Sequence, residues 1–242
     1  MAERRAAEHL KENVLLKLRP NPKRIVFLDT EFTHLDPDRR EVWEIAAIIR
    51  DPGMPEIEVE WQIRPDLRFA DPNALKIGGY YERCLLQDHS PGDAVIIVDP
   101  DHAEPGAGET IEYEKRRTTA REIAAQLAPA LCRATIFAGV PKADELTLER
   151  FLADHGQAWT AEHRTHCVRT LGLGYLLGRR AERVIRLGVE PHPAGVPPFP
   201  WDPKELAATV GVPLPAQAHR ALADARWAAD QFDVIFAGNE IV

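Results

Sequence analysis

Residues 24–28 (RIVFL) form a short apolar run rich in β-formers, and that run ends directly in Asp29-Thr30-Glu31. A run this short, set off by Pro20 and Pro22, reads as a buried strand rather than a helix. Two further segments follow, 43–49 (WEIAAII) and 57–63 (IEVEWQI). The second alternates in polarity and is preceded by the turn residues Asp51-Pro52-Gly53. Three strands in succession predict an antiparallel meander.

Helical patterns dominate the middle of the chain. Residues 72–86 read as a helix. Residues 118–131 have apolar positions at helical spacing, a Thr cap and Glu122 downstream. Residues 134–138 (ATIFA) read as another buried strand, and 144–152 as a helix with Leu148, Phe151 and Leu152 on one face. A fifth strand is expected within 163–168, running into a helix over 170–177, and a long final helix over 217–236. This order predicts one α/β domain with a mixed five-stranded sheet flanked by helices. Residues 99–119, rich in Gly, Pro and charge, and the proline-rich 190–203 read as insertions.

Residues 1–22 read as an amphipathic helical extension, leaving 23–238 as the domain. The N-terminal residues are charged and lack the apolar core of a signal peptide. No apolar run approaches the ~20 residues a membrane span needs. A soluble, cytoplasmic protein without membrane association is therefore expected. Cys84, Cys132 and Cys167 are far apart and have no zinc-knuckle or redox spacing, so they read as inert thiols. The net charge of −8 argues against a protein that coats long nucleic acid, though not against an enzyme that grips only a strand end.

On a strand, residues two apart share a face, so Asp29 and Glu31 project together. Paired carboxylates repel unless a cation joins them, and hard oxygen donors suit magnesium or manganese. Taken alone, an Asp-x-Glu at a strand end is most often a solvated pair. His219 and Asp224 stand at the start of the final helix, after the proline-containing turn 212–215. Five residues correspond to about 500° of helical rotation, so the two diverge unless His219 lies ahead of the first turn. A histidine there suits a general base near neutral pH, while a first-turn Asp is also favoured by the helix dipole alone. Asp144 opens a helix, where a capping role is the ordinary reading, and Asp154 at the far end of that helix is an alternative acid.

Together these segments resemble the DEDDh exonucleases, the RNase H-like group that includes proofreading subunits and RNase T. The first motif stands as FLDTEFTHLDP followed by WEIAAI, the second as IFAGVPKADELTLERFL, and the third as AHRALADARWAADQF. The stretches WQIRPD, ALKIGGYYER and PFPWDPKELAATVGVPLP fit between them, so the resemblance runs in order from about residue 24 to 236. It implies a metal-dependent 3′–5′ exonuclease that releases nucleoside 5′-monophosphates from single-stranded DNA or RNA.

The same resemblance implies two Mg²⁺ or Mn²⁺ ions on Asp29, Glu31, Asp144 and Asp224, with His219 as general base. It implies that Thr30, Phe32 and Thr33 face the terminal nucleotide, with His34 beside them either as a further substrate contact or as a surface residue. It leaves homodimerisation open, since relatives that trim RNA commonly dimerise. His34 stands where the family usually has Gly, and Val140 and Ala143 where it often has Asn and Phe. These departures bear on the nucleotide pocket more than on the acids. Two other readings stay open: a non-catalytic nucleic-acid-binding module on this fold, and a phosphodiesterase for non-polymeric substrates.

Overall fold

The computed structural model describes residues 15, 18–98, 114–187, 200–216 and 219–237. Its strands are β1 (Ile25–Phe32), β2 (Val42–Arg50), β3 (Ile57–Ile63), β4 (Asp93–Val98), β5 (Glu114–Thr119), β6 (Thr135–Ala138) and β7 (Thr165–Cys167). They form one sheet in the order β5-β4-β3-β2-β1-β6-β7. β1 to β5 make an antiparallel meander, and β6 and β7 add in parallel on the other side of β1.

The expected mixed sheet is present, but among the described residues it has seven strands rather than five. The two additions form the β4–β5 pair. β4 contains the apolar stretch Ala94 to Ile97, which is buried. β5 reads EKRRTT and carries no apolar period, as an edge strand that must resist pairing with other chains can afford. It occupies the end of the expected insertion 99–119, whose residues 99–113 lie outside the described residues. Residues 190–199 of the second insertion also lie outside them, as does most of the expected extension 1–22. Leu15 and Leu18 are described, and both are buried in the main core.

The helices are α1 (Pro72–Ile77), α2 (Tyr80–Arg83), α3 (Ala120–Leu131), α4 (Pro141–Asp154), α5 (Val168–Leu187), α6 (Pro203–Val210) and α7 (Ala221–Phe236). The single helix expected over 72–86 is broken at Gly78-Gly79, where Gly79 takes φ 67°. Only glycine adopts that left-handed backbone without steric cost. α3 opens with the expected capping box between Thr119 and Glu122. α6 is capped by Asp202, whose carboxylate accepts from Lys204 and Glu205 N–H.

β1 lies between helices on both faces, and its alternation decides what each side chain meets. Val26 and Leu28 join Ile123, Leu127, Leu148 and Leu152 of α3 and α4. Phe27 faces the other way, against Ala225, Ala228 and Phe232 of α7. Continuing the alternation places Asp29 and Glu31 on the α7 side and Thr30 on the α4 side. The start of β1 is fixed by Arg24, almost fully buried, which donates to the Asp51 carboxylate at 2.6 Å and to the Pro129 and Ala130 carbonyls of α3. A buried guanidinium is tolerable only when its donors are matched in this way. Among the described residues, no helix is long and apolar enough to cross a membrane.

Candidate active site

The end of β1, the start of α4 and the start of α7 converge on one cleft of about 520 Å³. Asp29, Glu31, Asp144, His219 and Asp224 all line it. Asp144 is buried in the first turns of α4. It is not a cap there: Val140 occupies the N-cap, and the Asp144 carboxylate accepts from the Thr30 hydroxyl at 2.7 Å. That bond follows from the strand alternation, which turns Thr30 toward α4. The alternative acid, Asp154, closes α4 at its other end and pairs with Arg150 on the surface.

His219 lies ahead of the final helix, whose N-cap is Arg220. Its φ of 65° is left-handed, which is uncommon for any residue but glycine. The turn carries the His219 N–H onto the Asp224 carboxylate at 2.9 Å. Side-chain donor atoms of Glu31, His219 and Asp224 lie within 4.8 Å of one another. The divergence expected of a pair five residues apart is thus cancelled by backbone conformation.

The other expected contacts divide. Thr30 and Phe32 line the cleft. Thr33 is buried away from it, its hydroxyl accepting from Glu41 N–H at 3.0 Å. His34 folds into its own turn, with Nδ1 accepting from Asp36 N–H at 2.8 Å. The structure does not bring these two to the cleft, because the bulge after Glu31 and the loop beyond it redirect the chain.

The electrostatics are those of carboxylates crowded out of water. Burial, then repulsion from Asp144, Asp224, Glu31 and Glu44, holds the Asp29 carboxyl well above the usual carboxylate range. Burial and Glu44 push Glu31 up to about 8, although Arg83 acts in the opposite direction. Burial raises Asp144 to about 7 against the Thr30 hydrogen bonds, which favour its anion. Asp224 is raised by burial, opposed by the His219 N–H and by Arg169 and Arg83. Oxygen donors that cannot all stay ionised beside one another suit hard divalent cations such as Mg²⁺ or Mn²⁺.

Raised folded-state pKa values mean that the folded chain binds these protons more tightly than the unfolded chain. The cluster's contribution in metal-free protein is therefore most favourable below the ordinary carboxylate range. It is lost as pH rises through about 7 to 8. Melting in EDTA is expected to show Tm falling from about pH 5 to about pH 8, and added Mn²⁺ to flatten the fall. A Tm that rises over this range in EDTA contradicts the assignment.

Several contributors carry no motif signal. Arg40 stacks over the Phe32 ring at 4.1 Å, and its Nη1 donates to Ala143 O and Thr147 Oγ1, tying the loop after β1 to α4. Arg169, at the start of α5, lines the cleft with a buried Nε that has no hydrogen-bond partner among the described residues. Gly78 backs onto the acids: a Cβ built there stands 2.7 Å from Glu31 Oε2. Glu31 is flexible at that end, so Gly78→Ala is expected to leave the fold intact and displace the carboxylate. Mn²⁺ affinity should fall by roughly tenfold or more, with Tm changed by only a few degrees. Unchanged affinity removes Glu31 from the metal set.

No protein-family model and no curated protein sequence matches this chain. Solved structures do match. The zinc-bound complex of E. coli exonuclease I with single-stranded DNA aligns at TM-score 0.54 and 16% identity, covering 89% of this chain and 41% of that one. This chain shares the fold of that structure. E. coli exonuclease I with a dA16 oligonucleotide aligns at 0.53 and 15% over 88% of this chain and 40% of that one. A third structure, also of exonuclease I, aligns at 0.52 and 17% over 88% of this chain and 40% of that one. This chain therefore spans about two fifths of the length of the exonuclease I structures it matches.

Proposed function

We propose that this chain is a metal-dependent 3′–5′ exonuclease acting on single-stranded nucleic-acid ends and releasing nucleoside 5′-monophosphates. The observation that carries the reading is the meeting of Asp29, Glu31, Asp144, His219 and Asp224 in one cleft. The exonuclease I structures bound to single-stranded DNA support it by fold.

Asp29, Glu31, Asp144 and Asp224 are the residues that would hold two Mg²⁺ or Mn²⁺ ions, which when bound supply Lewis-acid polarisation of the scissile phosphate and charge neutralisation at the leaving oxygen. His219, exposed at the cleft and beside Glu31 and Asp224, takes the proton from the attacking water. Thr30 orients the Asp144 carboxylate. Phe32, backed by Arg40, offers a ring face to the terminal base. Leu35, Ile77 and Val140, all more than half exposed, give the cleft an apolar rim suited to unpaired bases. Arg169, which lines the cleft, offers its guanidinium charge to a backbone phosphate.

The test is a substrate panel of single- and double-stranded DNA and RNA, each labelled at the 5′ end and incubated with Mn²⁺. Stepwise shortening of a single strand with release of 5′-monophosphates is expected. Internal cuts, or 3′-monophosphate products, contradict the proposal.

A further inference from the structure

Buried Glu44 and partly exposed Arg83 form an ion pair that the chemistry proposed above does not use. Glu44 sits in β2 opposite Glu31 and is fully buried. An isolated carboxylate in such a place is costly, so its partners show what it is for. One oxygen, Oε1, accepts from Arg83 Nη1 at 2.6 Å and from Gln62 Nε2 at 3.0 Å. The other, Oε2, accepts from the backbone N–H of Ala221 at 3.0 Å. Arg83 Nη2 in turn donates to the carbonyl of His219 at 2.7 Å and to that of Gly78. Next to it, Arg220 pairs with the buried Glu60 at 3.3 Å.

The backbone is thus held on both sides of the left-handed His219 Cα: its own N–H goes to Asp224, and the carbonyl that follows goes to Arg83. The His219 carbonyl and the Ala221 N–H are tied to the same carboxylate, one through Arg83 and one directly. Left-handed backbone at a non-glycine residue is strained and persists only where surrounding contacts enforce it. The Gly78 carbonyl on the same guanidinium couples this turn to the corner that packs against Glu31.

We infer that Arg83, clamped by Glu44, is a positioning residue that holds His219 in the backbone conformation placing its imidazole beside Glu31 and Asp224. The inference rests on the proposed role of His219 as general base. A fork of donors is required, because a single ammonium cannot reach Glu44, Gly78 and His219 together.

The test is a double-mutant cycle with Arg83→Met, Arg83→Lys and Glu44→Gln, each made in the wild-type and His219→Asn backgrounds. Arg83→Met and Glu44→Gln are expected to lower kcat on the order of 10²-fold in the wild type, leaving oligonucleotide KM within about threefold. In the His219→Asn background neither should cost more than about twofold. Arg83→Lys should recover less than half of the lost rate. The imidazole resonances of His219 in metal-free protein should shift or broaden in Arg83→Met, giving a readout independent of turnover. Equal losses in both backgrounds, full rescue by lysine, or an unchanged His219 resonance each overturn the inference. A wild-type protein without turnover instead removes the proposed function. Glu44→Gln keeps the cycle readable should Arg83→Met fail to fold.

Discussion

Asp29→Asn is expected to abolish metal-dependent turnover while raising the melting temperature of the metal-free protein. The two effects have one origin. Asp29 stands where burial and four neighbouring carboxylates all act to disfavour its charge, and no cation contributes in the opposite sense among its principal influences. A divalent ion turns that repulsion into ligation. Asparagine keeps the shape and removes the charge, so the acids lose a donor that any bound ion requires. Several kcal/mol of transition-state charge stabilisation correspond to a rate loss on the order of 10³-fold or more. In EDTA the same substitution relieves repulsion, and relief of about 1 kcal/mol corresponds to roughly 2–4 °C at this chain length. Turnover in Mn²⁺ and melting in EDTA check both halves. Near-normal turnover, or a lower melting temperature, sinks the placement of Asp29 at the centre of the metal set.

His219→Asn is expected to lose the rate without losing the metal. Asparagine tolerates the left-handed backbone better than alanine, so the 219–221 turn and the N–H to Asp224 are kept. The imidazole is removed. General-base contributions of this kind amount to about 10²–10⁴-fold. Mn²⁺ binding by calorimetry should stay within a few-fold of wild type, because the four carboxylates remain. The acidic limb of the pH–rate profile should flatten. A variant whose pH–rate profile is unchanged shows that His219 is not the base.

These expectations rest on residues that were legible to different degrees. Asp29 and Glu31 stood out because an apolar strand ended in them, and strand alternation put both on one face. The same alternation assigned Thr30 to the opposite face, where it meets Asp144. His219 and Asp224 were visible as a pair, but their convergence depends on a positive φ that spacing alone does not encode. The resemblance implies a nucleotide contact at Thr33 and leaves His34 open, whereas the chain beyond the bulge after Glu31 pairs them with Glu41 and Asp36.

Glu44 was in plain view as the one charge in the otherwise apolar WEIAAII. Its meaning lay in Arg83, 39 residues on, and in Ala221, 177 residues on, and only tertiary structure brings such distant partners together. The sheet shows the same division. Apolar strands announce themselves, while the edge strand EKRRTT has its conformation imposed by pairing with β4.

The most direct measurement is a time course of a 5′-labelled single-stranded oligonucleotide with Mn²⁺, with EDTA, and with the Asp29→Asn protein. The account predicts a ladder receding one nucleotide at a time from the 3′ end in Mn²⁺ alone. It predicts 5′-monophosphate as the released product and no ladder in the other two arms. An intact strand in Mn²⁺, or shortening that survives EDTA or Asp29→Asn, contradicts it.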